Sequence, residues 1–457
     1  MAAGPESRRQ TWRVADFARA LCWEDLPPGV RSQAIRCVLD LCGAAVAGSR
    51  TEAAQTAAAY ALYAHGTGLS TIIGTGANST PVGAALANGF AVSALDIDDG
   101  YRPVKGHPGA VVFPAVLAAA EEAKSSGIEL LTALVIGYEV AMRAGRILHL
   151  LYDVYHGSGA WAPVGAAAGA ARLLGCNAQQ TQHALGIAEF HAAMTPEMRS
   201  VEHPSMLKDG IGWGAMVGIA SAQLAARGFT GLPALFDAGD VGPHITESLG
   251  DKYLILDLYF KPYACCRWAQ PAIEGALSAA YQIGATPADM TRVRVHTFEA
   301  ATHLRSAVPR TTEEAQFSLP WTVACALIDG VVGPEQVVGE NLADPTRQEL
   351  AALVEVVVDA ELEEAFPEQA LAWVEIETTD GSRARSDPFS APGDAHTPFS
   401  DTELTEKFRD LTTPVLGSHR TRKLASVIER LPDAPDLDEI TGLLRCAASP
   451  DARLQPS

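Results

Sequence analysis

The chain has 457 residues, of which 48% are hydrophobic and 19% are charged. This composition is typical of a globular protein rather than a disordered one, and the length allows two domains and a substantial core. The 34 Lys and Arg residues against 54 Asp and Glu give a net charge of -20, which argues against nucleic acid or an anionic membrane surface as a partner.

The same sequence argues against secretion, membrane attachment and a metal site. Residues 1–10 lack the apolar stretch of a secretory signal, and no later apolar stretch is long enough to span a bilayer, so we expect a cytoplasmic protein. The eight cysteines are scattered, with no pair at metal-ligand spacing, and Cys265 and Cys266 are adjacent and cannot easily bridge each other. Most such thiols are small buried side chains, so we predict no metal.

From residue 11 to about 267, the apolar spacing is helical almost throughout. Val14, Phe17 and Leu21, for example, recur every three to four residues and therefore share one helix face. The pattern continues through 51–66, 80–95, 110–124, 125–151 and 162–174. The last of these segments is so rich in Ala and Gly that neighbouring helices must approach closely. We predict an all-helical domain over residues 1–267.

The pattern changes after Trp268. Three segments alternate between apolar and polar residues, as strands with one solvated face do: 292–298, 353–358 and 372–378. Helical stretches lie between them, at 271–284 and 318–330. We therefore predict an α+β domain over residues 268–398, whose end, 388–398, has the Pro, Gly and Asp content of a linker.

Helical periodicity returns after this linker, at 400–409 and 421–430, and Ser400 with Glu403 resembles a capping box. Residues 399–457 are predicted to rejoin the first domain, which leaves the α+β part as an inserted lid. The predicted fold class is mainly α with an α+β lid: one large helical domain built from both chain ends, plus a smaller inserted domain.

The loop at residues 96–110, between two predicted helices, gathers carboxylates, basic groups and a histidine. Loops held by rigid elements often carry binding and catalytic groups. His107 precedes Pro108-Gly109 and so should lie outside a helix, where its imidazole could act as a general acid or base. The alternative is a solvated acidic turn with a surface histidine. A metal bound by the Asp-x-Asp-Asp sequence would need further oxygen ligands, and none is evident.

Three more basic residues stand out beyond this loop. His156 precedes a Gly-broken helix start, where free N–H groups can bind a carboxylate; the alternative is a histidine that only caps or packs. Lys208 precedes a Gly-rich approach to an apolar helix, and Lys261 lies near the predicted domain junction. An isolated lysine is usually a solvated surface residue, so position alone does not assign either of them a function.

In order and spacing, the loop resembles the D-x-D-D…H-P-G signature of the MmgE/PrpD family. That family contains 2-methylcitrate dehydratases, cis-aconitate decarboxylases and iminodisuccinate epimerases. The resemblance covers nearly the whole chain and continues through residues 137–140 (Gly-Tyr-Glu-Val), 156–157 (His-Gly), Lys208, 228–231 (Gly-Phe-Thr-Gly), 261–267 (Lys-Pro-Tyr-Ala-Cys-Cys-Arg) and 317–320 (Phe-Ser-Leu-Pro). It also implies the helical domain with a lid, and a homodimer.

The resemblance implies a lyase that acts without a cofactor on a small di- or tricarboxylate, by proton transfer next to a carboxylate. The reaction would be 2-methylcitrate dehydratase-like or cis-aconitate decarboxylase-like. An epimerase that uses the same proton abstraction is one alternative, and a non-catalytic member of the family is another. No Gly-rich fingerprint follows a predicted strand, which argues against a nucleotide enzyme, and iron–sulfur chemistry would need clustered thiolates.

The resemblance also implies roles for individual residues. Its catalytic set here is Asp96, His107, His156, Lys208 and Lys261. Substrate binding would fall to Lys208, Lys261, Arg267, Tyr101 and Trp321. In this scheme, the lysines bind carboxylates and stabilise negative charge while His107, assisted by Asp96, moves the proton.

The chain departs from the family pattern at three positions. Gly100 or Tyr101 occupies the place of a Thr, Gln270 that of a His, and Trp321 that of a Tyr. The loop between Asp96 and His107 is also one residue longer than in the decarboxylases. Because an indole cannot donate a proton as a phenol can, the particular member reaction stays open.

Overall fold

The computed structural model describes residues 9–445, so Cys446 lies outside the described residues. The first part of this range is built from helices, and the chain there agrees with the predicted helical segments. They are α1 (Arg9–Ala20), α2 (Pro28–Gly48), α3 (Glu52–His65), α4 (Pro81–Ser93), α5 (Pro108–Ala123), α6 (Gly127–Leu151), α7 (Ala162–Leu173), α8 (Ala178–His191), α9 (Glu197–Glu202), α10 (Ile211–Ala226) and α11 (Val241–Thr246).

Helix starts in this part are fixed by local hydrogen bonds. The hydroxyl oxygens of Thr51, Thr80 and Ser126 each accept from a backbone N–H one turn into α3, α4 and α6. The predicted start at Thr80 and Pro81 is therefore confirmed. These helices are placed accurately from sequence because their caps and apolar faces are encoded within a few residues.

The predicted close packing of α7 is confirmed. This helix packs against α5, α6, α8 and α10. A Cβ atom added at Gly165 would lie 2.2 Å from the carbonyl oxygen of Gly137 in α6, so only glycine allows this separation. Small side chains thus bring the helices that carry the site close together.

A hairpin interrupts the helical pattern and was not predicted. Strand β1 (Thr67–Thr71) pairs antiparallel with β2 (Asn78–Ser79). Both strands are short, and Gly74 and Gly76 with positive φ lie in the turn between them. Pairs this short leave too little alternation to reveal a strand.

The second part contains a mixed sheet with helices on it, which confirms the predicted fold class. Its helices are α12 (Gln270–Ile283), α13 (Thr312–Gln316), α14 (Leu319–Asp329), α15 (Pro334–Val337), α16 (Pro345–Ala352) and α17 (Ala360–Ala365). Its strands are β3 (Met290–Thr297), β4 (Val354–Val358), β5 (Leu371–Thr378), β6 (Arg383–Arg385) and β7 (Phe389–Ser390). The sheet order is β4-β3-β5-β6, with β7 on β5.

The sheet explains the alternation seen in the sequence. Val293 and Val295 of β3 are fully buried, whereas Arg292 and Arg294, which alternate with them, form ion pairs with Glu355 of the parallel neighbour β4. Helix α12 packs on β5. The segment predicted as a linker at 388–398 begins with β7, a two-residue strand that sequence alone did not reveal.

The last helices, α18 (Asp401–Leu416), α19 (Ser418–Glu429) and α20 (Asp438–Leu444), follow the sheet. The predicted capping box is confirmed, because Ser400 and Glu403 each accept the other's backbone N–H. Helices α18 and α19 pack against α2 from the start of the chain. The domain boundaries at 267 and 398 stay predictions. Among the described helices, none is both long and apolar enough to cross a membrane.

Candidate active site

A cavity lies between the helical part of the chain and the part that carries the sheet. Loop residues from the α4–α5 connection line one side, and Phe317, Phe366 and Ala370 line the other. Its charged and titratable lining includes Asp96, Arg102, Lys105, His107, Lys261 and Arg267. Charges of both signs in one enclosed space are typical of sites that move protons.

Asp96 is the centre of this cluster. Its Oδ1 lies 2.9 Å from the Nζ of Lys261, 3.7 Å from the Nζ of Lys208 and 3.8 Å from the Nε2 of His107. Burial acts to raise the pKa of Asp96, but the charges of Lys208 and Lys261 outweigh it and hold that pKa well below its usual range. Asp96 is therefore a buried carboxylate that stays ionised.

The two lysines are held in place by further contacts. Lys261 is fully buried, and its Nζ also donates to the carbonyl oxygen of Asp96 at 2.9 Å. Burial lowers the pKa of Lys261, but Asp96 together with Tyr259 and Asp98 raises it more, so the ammonium stays charged. Lys208 donates to Gln316 Oε1 at 2.7 Å and lies over the ring of Phe317, 5.1 Å from its centroid. Both ammonium groups are thus preorganised.

His107 is the residue before α5, and a hydrogen bond to one ring nitrogen holds its imidazole in place. Its backbone N–H donates to Ser158 Oγ at 2.8 Å, and its Nδ1 lies 2.7 Å from the carbonyl oxygen of Asp99. A carbonyl can only accept, so Nδ1 carries the hydrogen. In the neutral imidazole the free basic nitrogen is therefore Nε2, the atom that faces Asp96.

Two further carboxyl groups of the loop support His107. Asp98 Oδ2 lies 3.2 Å from Nδ1. Burial and Lys261 lower the pKa of His107, but Asp98 and Asp96 raise it more, so it lies above the ordinary value. Asp99 accepts from the Tyr138 hydroxyl and from Gly109 N, and burial raises its pKa to about 8. Asp99 is therefore neutral near pH 7.

Strained backbone concentrates in this cluster. In residues 9–445 the non-glycine residues with positive φ are Asp96, Lys105, Lys124, Lys208 and Asp209. All except Lys124 line the cavity or contact Asp96. Such a conformation costs about 1–3 kcal/mol per residue and persists only where the surroundings enforce it. The concentration of strained residues around Asp96 therefore points to a functional site.

Arg267 lines the cavity but already has several partners. It donates to Gln270 Oε1 at 2.8 Å and to the carbonyl oxygens of Pro392 and Ala391 at 2.9 and 3.0 Å, and it lies 3.4 Å from Asp394. Gln270, at the position of a family His, also donates to the backbone around Tyr263 and Cys265. Through these contacts, Arg267 connects the cavity wall to residues 391–394, which follow β7.

His156, Tyr101 and Trp321 are not brought to this cavity. His156 is fully buried, and neither of its ring nitrogens has a hydrogen-bond partner in the described part of the chain. Burial lowers its pKa. Tyr101 is a buried residue of the loop itself, and its backbone N–H donates to the Gly106 carbonyl at 2.9 Å. The indole N–H of Trp321, within the core, donates to the Gln336 carbonyl at 2.9 Å.

Comparison with known proteins decides the family. The model of the MmgE/PrpD N-terminal domain matches residues 13–243, and that of the MmgE/PrpD C-terminal domain matches residues 263–433. The chain belongs to the MmgE/PrpD family. Its recognition from the loop signature is confirmed.

Relatives in this family are similar over nearly their full length. A cis-aconitate decarboxylase of Homo sapiens is 27% identical over 91% of this chain and 90% of its own. One of Aspergillus terreus is 25% identical over 95% of this chain and 96% of its own. One of Mus musculus is 26% identical over 95% of this chain and 93% of its own.

Lys105, Asp209 and Glu197 are among the cavity residues of this MmgE/PrpD chain that sequence analysis missed. Lys105 lines the cavity and forms no ion pair within residues 9–445; its ammonium lies 5.0 Å from the centroid of the Tyr155 ring. Its position two residues before His107 was the available signal. Asp209 directly follows Lys208, whereas Glu197 lies in no motif. Both carboxyl groups line the cavity.

The described residues offer neither a reactive thiol at Cys266 nor a metal-binding cluster. Cys266 lines the cavity, and burial raises the pKa of its thiol to about 12, so it is not a thiolate near neutrality. Within the described residues, no group of three or more His, Cys, Asp or Glu side chains could hold a metal ion.

Proposed function

We propose that this MmgE/PrpD protein is a lyase that removes carbon dioxide or water from a small di- or tricarboxylate. The observation that carries the proposal is the convergence of Lys208, Lys261 and His107 on Asp96 at the wall of one cavity. Decarboxylation of cis-aconitate is the first candidate, supported by the relatives that carry this name. Dehydration of a 2-methylcitrate-like compound is the second.

Charge supports a polycarboxylate as the substrate. Lys208 and Lys261 share one carboxylate, so together with Asp96 they keep one unit of positive charge. Lys105 adds a cation that has no ion-pair partner among the described residues. In a chain with a net charge of -20, such local positive charge gives a carboxylate ligand a favourable place to bind.

The same groups support the chemical step. When a C–C or C–H bond next to a carboxylate breaks, negative charge builds up on the substrate, and fixed ammonium groups in a buried site stabilise it without reorganising. His107 lines the cavity, and in its neutral form Nε2 has the free lone pair, so it can take the proton in a dehydration. Arg267 is held by the protein, and we assign it the role of shaping the wall and adding positive charge. Lys208 does not line the cavity itself but contacts Asp96, which does. Tyr101, Trp321 and His156 neither line the cavity nor form an ion pair with Asp96, and this scheme gives them no part.

A substrate panel followed by NMR in deuterated water tests the proposal. Citrate, 2-methylcitrate, cis-aconitate and iminodisuccinate are incubated separately with the protein. Loss of carbon dioxide from cis-aconitate would support the first candidate, and a new alkene signal from citrate or 2-methylcitrate would support the second. Deuterium uptake without net reaction would indicate the epimerase instead. If none of the four compounds reacts, the lyase proposal for this substrate class is wrong.

His107→Ala tests the role of the imidazole on whichever compound reacts. Loss of a general acid or base typically costs ~10²–10⁴ in rate, so kcat should fall by about that factor while KM changes little. The control is His183→Ala, a half-buried histidine on α8 that does not line the cavity. Normal kinetics in both variants would contradict the assignment of His107.

We further propose that the protein is a homodimer, as the family resemblance implies. Large apolar side chains on its helical part support this, because Phe190, Met194, Leu150 and Leu207 are each more than half exposed. Light scattering at micromolar concentration should give twice the mass of the chain, and a monomer would contradict the proposal.

A further inference from the structure

Glu197 and Asp209 form a carboxyl pair that the scheme above does not use. Glu197 begins α9 and is 2% exposed, and Asp209 directly follows Lys208 and is 8% exposed. Both line the cavity that contains His107 and Lys261. Carboxyl groups are costly to bury, so a pair kept at this wall calls for an explanation.

The two groups act on each other's protonation. Asp209 raises the pKa of Glu197 both by its charge and as a hydrogen-bond partner, and a hydrogen bond between two carboxyl groups requires a hydrogen on one of them. Glu197 Oε2 is buried and accepts from no donor within residues 9–445, so no hydrogen bond to this oxygen stabilises a negative charge on it. Burial, and next the charge of Asp209, raise the pKa of Glu197 well above its ordinary value. Glu197 is therefore the protonated partner.

The surroundings favour this arrangement. Lys208 lowers the pKa of Glu197, and the negative charge of Asp96 raises it. The Ser158 hydroxyl donates to Asp209 Oδ2 at 3.4 Å. The same hydroxyl oxygen accepts from the backbone N–H of His107. The other titratable groups near the pair are Tyr155, whose hydroxyl donates to the Lys105 carbonyl, and the protonated thiol of Cys266.

A dehydration needs an acid in addition to its base. His107 is the base of this scheme, and in its neutral form the hydrogen is on Nδ1 and is engaged by the Asp99 carbonyl. The hydroxyl of Tyr259 also lines the cavity, but burial raises its pKa to about 12, so it is a weak donor near neutrality. An effective general acid has a pKa near the working pH and holds its proton in the resting state.

We propose that Glu197, paired with Asp209, is the proton donor of the reaction. This inference rests on the proposed lyase function. In a decarboxylation, the electron pair of the broken C–C bond stays on the substrate, carbon dioxide leaves, and a substrate carbon takes the Glu197 proton. Each turnover then consumes one proton, which the pair takes back from water.

In a dehydration the same proton has a different destination. His107 takes a proton from carbon, and the C–H electron pair becomes the second bond of the alkene. The C–O electron pair leaves with the hydroxyl oxygen, which takes the Glu197 proton and departs as water. His107 then releases its proton to solvent and Glu197 takes one up, so the balance is zero.

An infrared measurement tests the shared proton without any substrate. Glu197→Gln keeps the shape of the side chain and removes the acidic hydrogen. The spectrum of the wild-type protein minus that of the variant at pH 7 should contain the C=O band of a protonated carboxyl group, which shifts in deuterated water. A difference spectrum without this band would overturn the proposal.

Kinetics with cis-aconitate, or with whichever compound of the panel reacts, test the donor role. Glu197→Gln, shown by circular dichroism to be folded, should lose ~10²–10⁴ in kcat. Asp209→Asn removes the charge that raises the pKa of Glu197, so the loss of kcat at high pH should begin at lower pH than in the wild type. Tyr259→Phe is the matched control at the same wall and should not lower kcat by this factor.

The outcomes separate the two proposals. If the wild-type protein turns over its substrate and Glu197→Gln does so at a similar rate, the donor role is wrong and the lyase function stands. A large loss in Tyr259→Phe with none in Glu197→Gln would assign the donor to the phenol. If the wild-type protein reacts with no polycarboxylate, the lyase function is wrong, and the donor role is wrong with it.

Discussion

Replacing Asp98 by Asn should lower the pKa of His107 and move the acid limb of the pH–rate profile. Asp98 Oδ2 lies 3.2 Å from His107 Nδ1, and it is the strongest of the influences that raise the pKa of this imidazole. An opposite charge at such a distance typically shifts a pKa by about 1–3 units. His107 accepts a proton only when neutral, so a dehydration rate is lost as pH falls through its pKa. In Asp98→Asn, this loss should therefore occur about 1–3 pH units lower.

The assay is kcat/KM from pH 4 to 9 on the reacting compound, together with an NMR titration of the His107 ring. The plateau rate should also fall, because a less basic imidazole is a weaker proton acceptor, but by less than the ~10²–10⁴ expected for His107→Ala. Glu139→Gln is the control, since Glu139 is an equally buried carboxylate that pairs with Arg143 away from the cavity. An acid limb that is the same in Asp98→Asn and the wild type would refute the reasoning.

Three further predictions concern the lysines, Asp99 and metals. Lys208→Met and Lys261→Met should each raise KM and lower kcat, because both charges act on bound substrate and transition state, whereas Lys423→Met, which loses only a surface ion pair, should not. The folded protein raises the pKa of Asp99 from its ordinary 3.8 to about 8, so the burial of Asp99 lowers stability progressively as pH rises between these values. Urea denaturation should therefore give Asp99→Asn a larger free energy of unfolding than the wild type. The difference should be absent near pH 4 and grow by about 1.4 kcal/mol per pH unit above it. An equal difference at pH 5 and pH 8 would contradict this. Chelation should leave activity unchanged, and restoration of a lost activity by a divalent ion would show otherwise.

The elements that sequence predicted well are those encoded within one helical turn. Thr80 and Ser400 mark helix starts because each side chain caps a backbone N–H three residues away. The strands that were missed, β1–β2 and β7, depend on pairing instead. Ser390 of β7 pairs with Leu371, and two residues carry no period of their own. Short strands are defined by their partners rather than by their sequence.

The candidate site divides in the same way. Asp96 and His107 lie on one short loop, so their chemistry could be noticed locally. Lys208 and Lys261 were distinguished from surface lysines by their small, apolar or aromatic neighbours together with the family resemblance. Neither signal could show that both ammonium groups meet at one oxygen of Asp96. Glu197 is the clearest omission, because its importance comes from burial beside Asp209 and not from any neighbour in sequence.

Asp96 is a carboxylate at the wall of a cavity proposed to bind carboxylates, so it should by itself repel the ligand. Its short distances to two ammonium groups explain why it does not prevent binding. Asp96 neutralises only one of the two charges on Lys208 and Lys261, and it keeps both ammonium groups buried and in fixed positions that neither would hold alone. The net charge of -20 acts over a range that salt limits to about 8–10 Å. Within that range of the cavity an anion encounters these ammonium groups and Lys105 as well as the carboxyl pair of Glu197 and Asp209. Asp96 therefore determines where positive charge is available, and the strained backbone at Asp96 and Lys208 is the cost of keeping it there.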